Sequence, residues 1–193
     1  MKLLRYAALF CMAIFLTACG YGTKDKYASL NHVEQYSYSS KEAPSLTLMT
    51  MISNRTGAGG HSSLLINGSQ TVMYDPAGRW SHAQVPERHD FLYGLTPQVM
   101  KKYKSFHARK THHVVSQKVY VSPEVAEQAI AAAQRQGRAK DATCAVNTLD
   151  ILHQLVGFNG VKSTFFPAKL MKRFGELEGV ETTKFYENDE GQN

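Results

Sequence analysis

Two β-prone segments on either side of an Asn-Gly pair constrain the fold more than any other feature of this sequence. The segments HSSLLI and QTVMYD flank Asn67-Gly68, and an Asn-Gly pair between apolar runs is the strongest short signal for a β-hairpin. A third β-prone segment, LTLMTMI at 46–52, precedes the pair. The first half of the domain is therefore expected to consist of antiparallel strands.

The second half of the chain is typical of helices. The segment at 122–137 opens with Ser122 as a cap and Pro123 at the first helical position, and it ends at Gly137. Further helices are expected at 96–106, 141–157 and 166–177, with one more strand at 112–121. Strands followed by helices predict a single α+β domain with an antiparallel sheet rather than an alternating α/β fold.

The N-terminus resembles the signal of a bacterial lipoprotein. A basic start precedes an apolar run, residues 6–16, that is too short to span a bilayer. The run ends in LTAC, which resembles the lipobox that is cut before an acylated cysteine. The resemblance implies removal of residues 1–18, lipidation of Cys19 and an outer-membrane position facing the periplasm. An ordinary signal peptide cut near Ala18 is the alternative.

The remaining chain is expected to hold one domain between two polar segments. Removal of the signal leaves 175 of the 193 residues and lowers the formal charge from +6 to +4, which is ample length for one buried core. Composition indicates a flexible, lipid-anchored tether at 19–45, a domain at 46–177 and a polar tail at 178–193. A modest basic cluster at 100–113 favours a solvated face toward anionic lipid or wall polymer, not a nucleic-acid site.

The remaining cysteine, Cys144, is the candidate for chemistry. Cys11 would leave with the signal and Cys19 would carry lipid, so Cys144 would be the only free thiol of the mature chain. In an oxidising compartment such a thiol indicates either burial or reactivity, and an inert core cysteine is the alternative interpretation. With Asp141 as N-cap, Cys144 would occupy the third helical position, where unpaired N–H groups and the helix dipole lower its pKa below ~8.5. This position predicts a rigidly held nucleophile.

His61 is the candidate base for this thiol, which needs an imidazole within reach and a group that orients the imidazole. It opens a strand after the glycines of GAGG, which would let a substrate backbone approach and let the loop move; a strand-edge histidine without a role is the alternative. A two-residue hairpin turn would set Tyr74 opposite His61, and a three-residue loop would set Asp75 there instead. A carboxylate orients an imidazolium better than a phenol, which favours Asp75, although a strand-terminal aspartate before a turn is also common.

No motif points to a metal ion or a cofactor, and none is expected. His107, His112 and His113 lack the spacing of zinc ligands. The sequence also contains no Walker loop, dinucleotide-binding fingerprint or GxSxG elbow.

The segment GHSSLLI, followed by a hairpin and by a cysteine at a helix start about eighty residues later, resembles the circularly permuted NlpC/P60-like branch of the papain fold. In that branch the histidine strand precedes the cysteine helix, and FFPAKLMKRF resembles the helix after the cysteine. The resemblance implies a papain-like domain in which Cys144 attacks an acyl carbonyl, His61 transfers the proton and Asp75 holds His61. Thr143 stands where many relatives have Asn, which bears on the substrate class more than on the fold.

The same resemblance implies a membrane-anchored thiol hydrolase, such as an amidase or thiol protease, or an acyltransferase. Its substrate would be an amide or ester, either a peptide of the cell wall or a lipid-linked acyl group. The expected partners are the membrane, through the lipid on Cys19, and peptidoglycan or lipid, with no nucleic acid. A catalytically silent papain-like lipoprotein that binds the cell wall or a partner protein is the alternative.

Overall fold

A seven-stranded sheet organises residues 27–187, the part of the chain that the computed structural model describes. Its strands are β1 (Ser45–Ser53), β2 (Gly59–Asn67), β3 (Thr71–Tyr74), β4 (Glu87–Arg88), β5 (Phe91–Leu92), β6 (His112–Tyr120) and β7 (Glu181–Phe185). They are ordered β4-β5-β3-β2-β1-β6-β7, and each neighbouring pair is antiparallel. The predicted α+β class with an antiparallel sheet is confirmed. The expected signal and Cys19 lie outside the described residues.

Five helices accompany the sheet in this part of the chain: α1 (Leu30–Gln35), α2 (Pro97–His107), α3 (Pro123–Gln136), α4 (Cys144–Leu152) and α5 (Pro167–Phe174). Helices α2 and α3 begin as the sequence predicts, because Thr96 and Ser122 accept hydrogen bonds from backbone N–H groups three residues ahead. Helices α4 and α5 are shorter than predicted at both ends. Among the described residues, no helix combines the length and hydropathy needed to cross a bilayer.

Helices cover both faces of the sheet. On one face α3, α4 and α5 pack over β1 and β2, where Leu46, Leu48 and Leu64 are excluded from solvent. On the other face α2 belongs to a second buried cluster that contains Met49 and Met51. Successive residues of β1 therefore point alternately into two apolar layers. Both faces of the strand are buried, which explains why the whole segment is apolar and could be predicted as a strand from the sequence.

The interpretation of 19–45 as a flexible tether is wrong for residues 27–44. Helix α1 lies in this segment, and Val33 is buried in the first cluster. The Ala28 N–H donates to Glu87 O at 2.8 Å, and the Arg88 guanidinium donates to Ala28 O. These contacts join polar residues through their backbone, so composition alone could not identify them.

The interpretation of 178–193 as a polar tail is wrong for β7. This strand pairs with β6 from Lys118 to Val114 and forms an edge of the sheet. Its side chains are largely exposed, so the segment is as polar as a disordered tail. Its backbone nevertheless forms the hydrogen bonds of an edge strand with β6. The remaining residues, 188–193, lie outside the described part.

Candidate functional site

The candidate site lies where β2 extends past the end of β3. Only residues Leu64 to Asn67 of β2 pair with β3, so the first half of β2, which contains His61, extends beyond this ladder. Asp75 follows the last residue of β3, and α4 packs against β2 with Cys144 as its first residue. The topology therefore brings the three predicted site residues to one end of the hairpin.

The three side chains are arranged in the order thiol, imidazole, carboxylate. His61 Nε2 lies 2.7 Å from Asp75 Oδ1, and His61 lies close enough to the Cys144 thiol for each group to raise or lower the pKa of the other. Because Asp75 engages Nε2, Nδ1 is the ring nitrogen available to the thiol. The side chains of His61 and Asp75 are 18% and 3% exposed, and Cys144 is 7% exposed. The site is thus largely shielded from water.

Asp75 reaches His61 through a register that neither hairpin prediction gave. The loop contains three residues, 68–70, and continuing the ladder by one position sets Asp75 beside Ser63 rather than beside His61. Residues two apart on a strand point to the same face, so Asp75 still faces the imidazole. The prediction that favoured Asp75 was wrong in register by two residues, and an even shift preserves the face.

Tyr74, the other candidate for the third residue, lies on the opposite face of the sheet. Its hydroxyl donates to Gly137 O at 2.9 Å, and the side chain is fully buried in the first cluster. Burial and the nearby negative charges of Asp90 and Asp150 raise the pKa of this phenol. Tyr74 therefore packs the core and does not contact the imidazole.

The His61–Asp75 pair is charged at neutral pH. Burial lowers the pKa of His61, but the charge and hydrogen bond of Asp75, with a smaller contribution from Cys144, raise it to about 10. Burial raises the pKa of Asp75, but His61, with help from His107 and Tyr103, holds it below its ordinary value. The two partners stabilise each other as imidazolium and carboxylate.

The surroundings of Cys144 favour its thiolate. Burial raises the pKa of the thiol, but the interaction with His61 and its positive charge, with a smaller contribution from Ser62, lower it by more, so the net shift is downward. The Ser62 hydroxyl is buried and has no hydrogen-bond partner among the described residues. The first N–H groups of α4 are unpaired within the helix, and the positive end of its dipole adds to this effect.

Helix α4 begins two residues later than predicted, so Cys144 is its first residue rather than its third. Ala142 has a φ of +62°, which a right-handed helix excludes. The N-cap is Thr143, not Asp141, and its hydroxyl donates to Lys140 O at 2.6 Å instead of capping the helix. This tight turn presents the sulfur at the end of the helix.

Tyr103 is a site residue that the sequence prediction missed. Its hydroxyl donates to Asp75 Oδ1 at 2.9 Å and lies 2.9 Å from Ser63 Oγ. The side chain is fully buried, although it belongs to the segment interpreted as a solvated basic face. A signal was present, because Val99, Met100 and Tyr103 recur at helical spacing. With this bond Asp75 is held from two sides.

A cleft of about 510 Å³ opens beside His61. Its lining includes Gly60, Gly78, Arg79, Phe106, His107 and Arg109. Arg109 forms an ion pair with Glu187 at 2.8 Å, and Arg79 is exposed. His107 stacks on the His61 ring with 6.0 Å between centroids. Burial lowers the pKa of His107 by more than the negative charge of Asp75 raises it. The cleft gives a ligand of moderate size access to the imidazole.

One of the glycines before His61, Gly59, is required by packing. A Cβ at Gly59 would lie 2.5 Å from Ala168 N and 2.9 Å from Pro167 Cβ, so glycine allows α5 to begin directly against β2. The loop itself is fastened, because Asn54 N donates to Thr111 O at 2.8 Å. The predicted mobile loop is a short hydrogen-bonded turn.

We expect the rate of Cys144 alkylation by iodoacetamide to rise at a lower pH in the folded chain than in the unfolded chain. The folded thiol has a lowered pKa, whereas an unfolded thiol ionises near its ordinary value of ~8.5. Rates between pH 4 and 9, with and without urea, are read from the mass of the peptide that contains Cys144. Superimposable folded and unfolded profiles would contradict this assignment.

We expect Gly78→Ala to slow this alkylation at neutral pH. The added Cβ would overlap Asp75 Oδ2, so the carboxylate must move away from the imidazole that it orients. Gly160→Ala is the matched control, because a Cβ there meets no atom within 4 Å. Equal alkylation rates for both variants and the wild type would show that the position of this carboxylate does not influence the thiol.

Among residues 27–187, no three His, Cys, Asp or Glu side chains are grouped so that they could hold a metal ion. Comparisons of the chain with protein-family models, with curated proteins and with solved structures find no match.

Proposed function

We propose that this chain is a cysteine-dependent hydrolase or acyltransferase in which Cys144 is the nucleophile, His61 the acid and base, and Asp75 the group that orients His61. The carboxylate of Asp75, 2.7 Å from the His61 ring, together with the Cys144 thiol beside the same ring, carries the proposal. This order is what activation of a thiol nucleophile requires. The charged state of the His61–Asp75 pair favours a thiolate before any substrate binds.

In the first half of the reaction the Cys144 thiolate attacks an acyl carbonyl carbon and forms the C–S bond. The carbonyl electrons move to oxygen, where the unpaired N–H groups at the start of α4 can stabilise the oxyanion. The His61 imidazolium gives its proton to the leaving nitrogen or oxygen as the C–N or C–O bond breaks. The product is a thioester on Cys144 together with the free amine or alcohol.

In the second half neutral His61 removes a proton from water or from an acceptor hydroxyl or amine. The resulting nucleophile attacks the thioester carbonyl, and the C–S bond breaks to regenerate the thiolate and the imidazolium. Water as acceptor gives hydrolysis, and a second alcohol or amine gives acyl transfer. Asp75 stays ionised throughout and stabilises the cation of His61.

The papain-like, permuted architecture belongs to the same proposal. Two features support it: the histidine lies on β2, ahead of the cysteine in the chain, and the cysteine begins a helix that packs on that strand. The proposed substrate is an amide or ester, either of a cell-wall peptide or of a lipid-linked acyl group. Anchoring at the outer membrane through Cys19 rests on the signal-like N-terminus.

The proposal is tested by labelling Cys144 with an acyl-type electrophilic probe and by assaying the full chain on wall fragments and phospholipids. We expect the folded wild type to label faster than the urea-unfolded chain, and Cys144→Ser to lose both labelling at this position and turnover. Cys11→Ser, which removes a thiol outside the described residues, is the matched control. If Cys144 labels only after unfolding, the nucleophile assignment fails and a silent binding module is the better description.

A further inference from the structure

Two adjacent phenylalanines stand out of the surface where α5 begins. Phe165 and Phe166 are 72% and 60% exposed. Within residues 27–187 they are the only consecutive pair among the exposed large hydrophobic side chains. Single exposed apolar residues are common, but a contiguous apolar feature rimmed by polar groups indicates a site of interaction.

Four basic residues lie beside the start of α5. Lys162, Lys169, Lys172 and Arg173 line a surface cavity of about 620 Å³ that contains one carboxylate, Glu176, which leaves a formal surplus of three positive charges. The Lys169 ammonium lies 4.9 Å from the centre of the Phe166 ring, so the cationic and aromatic parts are continuous. Together the two phenylalanines and the four basic residues are called the α5 patch.

The α5 patch is held in shape by its own hydrogen bonds. The Arg173 guanidinium donates to Lys162 O at 3.0 Å and to Ser163 O at 2.8 Å. The Phe166 N–H donates to Thr164 Oγ1 at 3.2 Å. The loop that carries the rings is therefore preorganised, and little chain ordering is needed when a partner covers it.

We infer that the α5 patch binds the surface of an anionic lipid bilayer. Elements that lie in the membrane interface insert aromatic side chains at the headgroup boundary and place lysines and arginines against acidic headgroups. Phe165 and Phe166 provide the inserted side chains, and the four basic residues provide the complementary charge. Single-stranded nucleic acid also combines stacking with basic grooves, but the signal-like N-terminus indicates a chain that crosses a membrane and meets lipid.

The α5 patch also lies close to the candidate active site. The first turn of α5 abuts Gly59, two residues before His61. Docking of the patch would therefore hold the start of β2 near the lipid surface. The inference does not depend on catalysis, because vesicle binding by the α5 patch is measured without any assay of enzymatic activity.

The test places an indole in the α5 patch of the full chain by Phe166→Trp. The other tryptophan, Trp80, is only 4% exposed and serves as an internal reference. Vesicles contain phosphatidylcholine with or without phosphatidylglycerol, and their acyl chains are brominated so that they quench only an inserted indole. We expect quenching and a blue shift with the anionic vesicles, both reduced by added salt. The N-terminus is common to all variants, so differences between variants report the patch.

A charge variant and its matched control complete the test. In the Phe166→Trp background, Lys169→Gln with Lys172→Gln should weaken vesicle binding about 30-fold, because each of the two cations near an anionic surface contributes about 1 kcal/mol. Lys41→Gln with Lys140→Gln removes the same charge from exposed positions outside the patch and should retain binding. An unquenched indole, equal quenching by neutral vesicles, or displacement of vesicles by a single-stranded oligonucleotide would each overturn the inference.

Discussion

Replacement of His61 by alanine is expected to slow alkylation of Cys144 at pH 6 on the order of 100-fold, because a thiol with a pKa of ~8.5 is only ~0.3% ionised at that pH. His61 supplies the interaction and the positive charge that oppose the effect of burial on the thiol pKa. Without the ring, burial is opposed only by Ser62 and by the dipole of α4, and the thiol pKa rises. The second-order rate constant with iodoacetamide, followed at the Cys144 peptide, measures this effect.

His107→Ala is the matched control for this result. His107 stacks on His61, but burial lowers its own pKa, so it does not bring the positive charge that His61 brings to the thiol. Its removal should change the alkylation rate little. Added imidazole should partly restore the rate of His61→Ala, and a circular dichroism spectrum like that of the wild type shows that the fold is kept. Equal rates for His61→Ala and the wild type would remove His61 from the site.

Local signals in the sequence predicted the elements whose ends are fixed by neighbouring residues. Helix α3 begins at a Ser122–Pro123 pair and ends at Gly137, whose φ is +70°. The capping hydroxyl and the backbone N–H that it accepts from lie three residues apart, so the whole interaction is present in one short segment. The same holds for Thr96 at the start of α2.

The features that sequence reasoning missed depend on contacts between distant segments. Asp75 is held by Tyr103, which is 28 residues away in the chain. The backbone of segment 27–44 bonds to β4 and to Asn67, and β7 pairs with β6 while exposing its side chains. Hydropathy reports side-chain burial, not backbone pairing, so these polar segments resemble linkers until the partner is known.

The proximity of the three candidate residues was predictable because each has a distinct local position. Cys144 begins a helix, His61 lies at the start of a strand, and Asp75 follows the end of the paired strand. The chemistry of a carboxylate favoured Asp75 over Tyr74, and Asp75 faces His61 even though the predicted register was wrong, since an even shift does not exchange the faces. The start of α4 was not predictable in the same way, because the positive φ of Ala142 carries no sequence signal.

Asp75→Asn is expected to lower the free energy of unfolding by about 3 kcal/mol near pH 5.5, as breaking one side of a buried ion pair does. The pKa of His61 is raised to about 10 from 6.5, so its contribution is complete below pH 6.5 and is lost as the pH rises toward 10. The pKa of Asp75 is lowered from 3.8, so its contribution is complete above that pH and is lost on acidification. The wild type and Asp75→Asn should therefore differ most between these limits in urea unfolding measured across pH.

The same substitution should also slow alkylation of Cys144 at neutral pH by about 10-fold, because a neutral amide no longer supports the imidazolium that stabilises the thiolate. Asp90→Asn is the matched control, since Asp90 is also buried, at 6% exposure. Its carboxylate accepts from Ala77 N at 2.7 Å and Ala139 N at 2.9 Å and does not contact His61. Asp90→Asn should destabilise the fold but leave the pH dependence of Cys144 alkylation unchanged. If both variants change this pH dependence equally, Asp75 contributes only to packing.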